Sequence, residues 1–204
     1  MRAKLALGTA ILGALAVALT TIVGGFAFPS YSHASQYISE LGARGAPNAE
    51  LVNLAGFLPA GLLISAFVYL AWKALPRSRL ASLGLLGIAF FALGYIGAAF
   101  FPCDAGCRPT ERSFSQTAHE VFGLAGYLTA PPALLALGWR ARSWLDATWL
   151  SVLGFVSGGL TLLCLLFMSP AFEYAGAAQR VLEASMLTWI VACAVYINRR
   201  GRSE

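Results

Sequence analysis

The sequence predicts an all-α integral membrane protein, one domain over residues 1–204 built as a bundle of six transmembrane helices. Three observations carry this. Charged residues make up 11% of the chain, where a soluble domain carries about 25%, so a surface of this composition would not stay in water. Hydrophobic residues make up 58%, with a mean hydropathy of +0.71. Six apolar stretches reach or approach the ~20 residues that cross a bilayer: Leu5–Phe28, Leu51–Trp72, Leu80–Phe101, Thr117–Trp139, Trp149–Met168 and Val181–Ile197. None alternates with the period of a barrel strand. The same composition excludes a disordered chain, a coiled coil, a collagen-like chain and a small disulfide scaffold.

The first stretch follows a basic start, Arg2 and Lys4, and precedes Ser32-His33-Ala34, a small-x-small sequence like a leader cleavage site. Its apolar run exceeds the roughly 7–15 residues of a signal-peptide core, so we read it as a span. The loop from Pro29 to Glu50 is long for a helix–helix connection. It offers Ser35 as a helix cap and Gly42 as a stop, which predicts a short amphipathic helix over the bundle mouth. Pro59 in the second span and Pro131-Pro132 in the fourth are expected to kink their helices. Gly84, Gly87, Gly94 and Gly97 in the third span, and Gly154-x-x-x-Gly158 in the fifth, predict close helix contacts. In the next loop Cys103 and Cys107 read as a disulfide, because the loop faces an oxidising compartment in the topology below. A zinc pair is the rival reading, but two cysteines without nearby ligands make a poor zinc site. Cys164 and Cys193 lie within spans and read as small packing residues.

Lysine and arginine set the expected orientation. One side holds Arg2, Lys4, Lys73, Arg77, Arg79, Arg140, Arg142, Arg199, Arg200 and Arg202, and the other only Arg44, Arg108, Arg112 and Arg180. Ten against four puts the first side, with both termini, in the cytoplasm, and the protein in the inner (plasma) membrane. Trp72, Trp139, Trp144 and Trp149 fall at the same boundary, as an aromatic belt does. The net charge of +5 is thereby used in topology, and no nucleic-acid partner is expected. Seven of the nine acidic residues and both histidines fall on the opposite, outer side. Positive-inside statistics do not require this, since Asp and Glu contribute little to orientation.

Ionisable groups at the edge of a span are costly and face a bundle interior or a wet cavity. His119 opens the fourth span, above a face it shares with Phe122, Gly123 and Gly126, while Glu183 begins the sixth, one turn from Arg180. Arg180 and Glu183 are spaced to neutralise each other. The sharper expectation is an outer-facing pocket in which His119 and Asp104 are the catalytic or chemically active pair. His33, Ser39, Glu40, Arg112, Ser115, Arg180 and Glu183 would then contact the substrate. No metal is expected. Were one bound, His33, Asp104 and His119 would supply the minimum three ligands. The bland reading gives each of these groups to solvent or to a local backbone partner.

The run Ser35-Gln36-Tyr37-Ile38-Ser39-Glu40-Leu41-Gly42, with Pro47 and Asn53 after it, is followed by Phe101-Pro102-Cys103-Asp104 and by Ser115-x-x-x-His119 and Gly123. Together they resemble a prokaryotic family of six-helix membrane proteins, domain of unknown function 998, over most of the chain. More distantly, Tyr37-Ile38-Ser39-Glu40-x-Gly42 is similar to the first-loop motif of the Frag1/DRAM/Sfk1 membrane family, with Glu40 where an aspartate is usual. That resemblance implies lipid handling. Ser115-x-x-x-His119 also looks like the signature of metal-dependent membrane hydrolases that include alkaline ceramidases. Those enzymes use three zinc histidines, however, and this chain has two.

Three functions follow as expectations. One is lipid handling or sensing at a polar pocket, with an arginine suited to a phosphate headgroup. A second is a lipid-modifying membrane enzyme, a hydrolase or acyltransferase, with His119 or His33 as general base. The third is an accessory subunit with a membrane-protein partner. A transporter is less favoured, since no charged residue lies at mid-span. Phosphate loops, His-Glu-x-x-His and Gly-x-Ser-x-Gly are absent from the sequence, so the standard soluble chemistries have no footing.

Overall fold

The computed structural model describes residues 1–201, so Arg202, placed above on the cytoplasmic side, lies outside the described residues. Among the described residues six helices are long and apolar enough to cross a membrane, and there is no strand. They are α1 (Arg2–Ala27), α2 (Ala49–Ala74), α3 (Arg79–Phe100), α4 (Phe114–Ala141), α5 (Thr148–Leu166) and α6 (Ala175–Arg200). The shortest, α5, has 19 residues, which at about 1.5 Å per residue still matches a hydrocarbon core of ~30 Å. The protein is therefore a multi-pass membrane bundle.

Each helix packs on its neighbours in sequence, and α6 returns to pack on α1, which closes a ring. Helix α6 is the inner member, with 67% of its apolar stretch buried, against 22% for α1. Leu182, Met186, Trp189 and Ile190 of α6 are fully enclosed, together with Phe67 and Ile64 of α2 and Leu134 and Leu137 of α4. Outward-facing leucines such as Leu12, Leu15, Leu83, Leu124, Leu128 and Leu163 remain exposed. An apolar surface of this extent on all sides is one that lipid covers. Helix α6 begins six residues before the expected Val181. Its first turns carry Gln179, Arg180 and Glu183, which depress hydropathy but are enclosed by protein rather than lipid.

The glycines set the helix spacing. A Cβ on Gly154 of α5 would stand 2.6 Å from the Gly138 Cα of α4, so the two backbones touch there, as small residues permit. Gly84 and Gly87 of α3 meet Leu137 and Ala133 of α4 in the same way. In α2, Pro59 cannot donate a backbone hydrogen bond, and the preceding turns, Val52–Phe57, widen into a π-helical segment. There the Asn53 Nδ2 donates to the Gly42 carbonyl at 2.9 Å, tying α2 to the first loop.

The expected amphipathic helix in that loop is a single 3-10 turn, Ile38–Gly42. Its cap is Tyr37 rather than Ser35, because Glu40 reaches back to accept from the Tyr37 N–H at 2.9 Å. Ile38 and Leu41 are buried, so the turn plugs the ring instead of lying on it. Three loops meet here, at what we call the loop end of the bundle. The Arg44 N–H donates to the Cys103 carbonyl at 2.9 Å, Ala177 N–H to the Ala34 carbonyl at 2.8 Å, and the Tyr37 hydroxyl to the Met168 carbonyl at 3.2 Å. Both termini lie at the opposite, terminal end, where Gly201 packs on Ala3.

A polar cavity beneath the loop plug

Under the 3-10 turn a cavity of about 60 Å³ opens between α2, α3, α4 and α6. Its walls are mostly apolar and small: Phe57 and Phe91, Gly94 and Ala98, Gly123 and Gly126. His119 and Ser39 stand at the loop side, and Glu183, Tyr95, Tyr127 and Gln179 complete the lining.

Glu183 is 3% exposed, and no lysine or arginine pairs with it among the described residues. Two phenols hold it instead: Tyr95 donates to Oε2 at 2.5 Å and Tyr127 to Oε1 at 2.6 Å. The network extends upward. Gln179 Nε2 donates to the Tyr127 oxygen at 2.6 Å, and Gln179 Oε1 accepts from the Ile38 N–H at 2.7 Å. One chain of hydrogen bonds thus runs from the loop plug to the carboxylate. The expected Arg180–Glu183 pair does not form. Arg180 turns outward, to the Tyr31 hydroxyl at 2.6 Å and the Gln36 carbonyl at 2.8 Å, because the first loop fills the space beside it.

The Ser115-x-x-x-His119 spacing puts both side chains on one face of α4, and both hold the preceding loop. Ser115 donates to the Pro102 carbonyl at 2.7 Å, and the His119 Nδ1 lies 2.9 Å from the Phe101 carbonyl. A carbonyl can only accept, so Nδ1 carries the proton and a neutral ring keeps its lone pair on Nε2. Cys103 and Cys107 are disulfide-bonded, with Cα atoms 5.1 Å apart, as the sequence suggests. Their sulfurs and a ring nitrogen of His119 all lie within 4.8 Å of one another.

Asp104 is in a different place from the one expected. It holds Ser113, the cap of α4, accepting from the Ser113 N–H at 3.0 Å and the Ser113 hydroxyl at 2.8 Å, with Arg44 at 3.6 Å. These bonds, the Ser113 backbone N–H first, hold its carboxyl below the usual carboxylate range. The sequence matches the family described as "Protein of unknown function (DUF998)" over residues 11–196. The chain belongs to the DUF998 family. No match was found among curated proteins or among solved structures.

In this DUF998 protein the cavity brings together His119, Ser39 and Glu183 and leaves out the other residues singled out from sequence. Asp104 is occupied by Ser113 and Arg44. Glu40 is buried within the first loop, bonded to Tyr37 and Gln36. Arg112 pairs with Glu120 at 2.8 Å on the surface, and Ser115 is used on Pro102. His33 packs edge-on against Tyr31, in a notch that exists because Gly25 has no Cβ. The set His33, Asp104 and His119 is therefore not brought together among the described residues. Among the described residues the donors that converge are Cys103, Cys107 and His119. Sequence reasoning missed Tyr95, Tyr127 and Gln179. Two signals could have found them: His119, Gly123 and Tyr127 repeat every fourth residue along one face of α4, and Gln179 and Glu183 do the same on α6.

Proposed function

We propose that this DUF998 protein binds the polar end of a neutral membrane lipid in the cavity beneath its first loop, as a lipid-handling or lipid-sensing protein. We further place it in the inner (plasma) membrane with both termini cytoplasmic, so that the cavity serves the outer leaflet. The observation that carries the reading is Glu183: a carboxyl group buried in a membrane bundle, beside open space, hydrogen-bonded by two phenols and with no lysine or arginine at ion-pair distance among the described residues. Such a group within a span marks a functional site by default. The walls argue for the ligand class. No lysine or arginine lines the cavity among the described residues, which disfavours the phosphate headgroup expected from sequence. A volume of about 60 Å³ has room for a few water-sized groups, such as a hydroxyl or an ester carbonyl. His119 Nε2 supplies an acceptor at the mouth, and the Tyr–Glu–Tyr cluster supplies polar partners at depth.

Filling the cavity tests this. A Cβ on Gly123 would meet nothing within 4 Å, so Gly123→Leu grows into the open space while the fold is kept. Lipids that copurify with the full chain in mild detergent would be identified and counted by mass spectrometry. A neutral lipid is expected with the wild type, reduced about 10-fold or more in Gly123→Leu, a loss of roughly 1.4 kcal/mol. Equal lipid content in the two proteins would remove the proposal and leave the cluster a structural one.

A further inference from the structure

Two cysteines alone make a poor zinc site, but the fold brings a third donor, His119, to Cys103 and Cys107. We propose that the reduced form of the Cys103–Cys107 disulfide, together with His119, is a zinc site that the disulfide form closes. Four features of the loop end support it, and none depends on lipid binding.

First, the donor set converges, with two sulfurs and one imidazole nitrogen mutually within 4.8 Å. Two thiolates, one imidazole and an open fourth position make a tetrahedral arrangement that zinc accepts. Second, the imidazole is set for ligation. The Phe101 carbonyl 2.9 Å from Nδ1 fixes the ring and its tautomer, the outer-shell device that orients zinc histidines. Third, the loop carrying the sulfurs is pinned residue by residue. Phe101 and Pro102 are held through His119 and Ser115, the Cys103 carbonyl accepts from Arg44 N–H at 2.9 Å, and the Asp104 N–H donates to Gln116 Oε1 at 2.8 Å. The Cys107 N–H donates to the Asp104 carbonyl at 2.8 Å, so breaking the sulfur–sulfur bond leaves the backbone of the loop held while the two sulfurs part by rotation of their side chains to the spacing a tetrahedral zinc takes. Fourth, an oxygen is at hand, since the Ser39 hydroxyl lies 3.5 Å from Cys107 Sγ. Ser39 or a water there completes four donors, where Cu⁺ would need only three. His119 and Ser39 also line the cavity, so the fourth position stands at its mouth.

The chemistry balances with a dithiol reductant. Two electrons and two protons pass from the dithiol to the Cys103–Cys107 bond, giving two thiols and the oxidised reductant. Zinc then displaces the two thiol protons as it binds.

The experiment uses the full chain in detergent, reduced anaerobically with a dithiol, desalted and titrated with Co²⁺ as the spectroscopic stand-in for Zn²⁺. Thiolate-to-cobalt charge-transfer bands are expected at one metal per chain, displaced by Zn²⁺, and missing from the oxidised protein. His119→Ala is expected to weaken binding by at least about 10-fold, and His33→Ala to leave it unchanged. Should His119→Ala fail to fold, Cys107→Ser, which leaves the His119–Phe101 bond intact, is expected to abolish the bands. A reduced wild-type chain without charge-transfer bands overturns the proposal, and so does wild-type affinity in either ligand variant.

Discussion

At the scale of single residues, the two histidines show how position decides what a ring can do. His119 is locked by a backbone carbonyl, whereas His33 is exposed on the first loop, against Tyr31 and near Arg180. Burial of part of its ring, and then the Arg180 charge, push the His33 pKa below the ordinary 6.5. The folded state thus binds a proton at His33 less readily than the unfolded state does. Stability is unaffected by His33 well above pH 6.5, where both states are neutral, and falls as pH drops below it, where only the unfolded chain protonates readily. His33→Gln is expected to flatten that acid side of the Tm profile in detergent. Because the ring is exposed, the difference is small, on the order of 1 °C. Identical profiles for the two proteins would show that folding does not shift the His33 proton equilibrium.

At the scale of elements, the contact of α4 with α5 depends on two glycines facing each other. A methyl on Gly154 would meet the Gly138 backbone, whereas one on Gly159, a turn away, would meet nothing within 4 Å. Gly154→Ala is expected to destabilise by about 1–3 kcal/mol through overpacking. Gly159→Ala should be neutral or stabilising by about 0.5–1 kcal/mol, the helix preference of alanine over glycine. Equal effects in a thermal shift assay would refute the close crossing. Such contacts were legible in the sequence because glycine at a four-residue spacing has one structural use in a span. The six spans were legible for a similar reason, since a bilayer fixes both length and composition. The start of α6 was not, because Gln179 and Glu183 are polar yet enclosed by neighbouring helices, and hydropathy cannot tell protein from water. The short helix of the first loop and its end at Gly42 were legible, but its start was not, because Ser35 has the chemistry of a cap while the cap formed is Tyr37 with Glu40. The cavity was only half legible. His119 stood out as a titratable group at a span edge, but Tyr95 and Tyr127 read as ordinary apolar wall until Glu183 is placed between them.

At the scale of the whole molecule, the two ends of the bundle differ in charge, and that difference carries the orientation we propose. The terminal end holds Arg2, Lys73 and Arg200 around a groove of about 710 Å³. The Lys73 ammonium lies 4.8 Å from the Trp72 ring, and the Arg142 guanidinium 4.7 Å from Trp139, so cations and indoles share one belt, as at a membrane boundary. The loop end has four arginines, each with a partner of its own: Arg180 on Tyr31 and Gln36, Arg112 on Glu120, Arg44 beside Asp104 and Arg108 on the Pro170 carbonyl, so two of the four are offset by a carboxylate. Lysine and arginine resist translocation, so the terminal end is expected inside and the loop end outside. Two exposed prolines give a direct measurement, Pro47 in the first loop and Pro76 between α2 and α3. The native cysteines do not interfere, because Cys103 and Cys107 are joined and Cys164 and Cys193 are buried. A membrane-impermeant maleimide applied to intact cells is expected to label Pro47→Cys and to reach Pro76→Cys only after lysis. The opposite pattern would invert the molecule, put the Cys103–Cys107 loop in a reducing compartment, and make the thiol form, rather than the disulfide, its resting state.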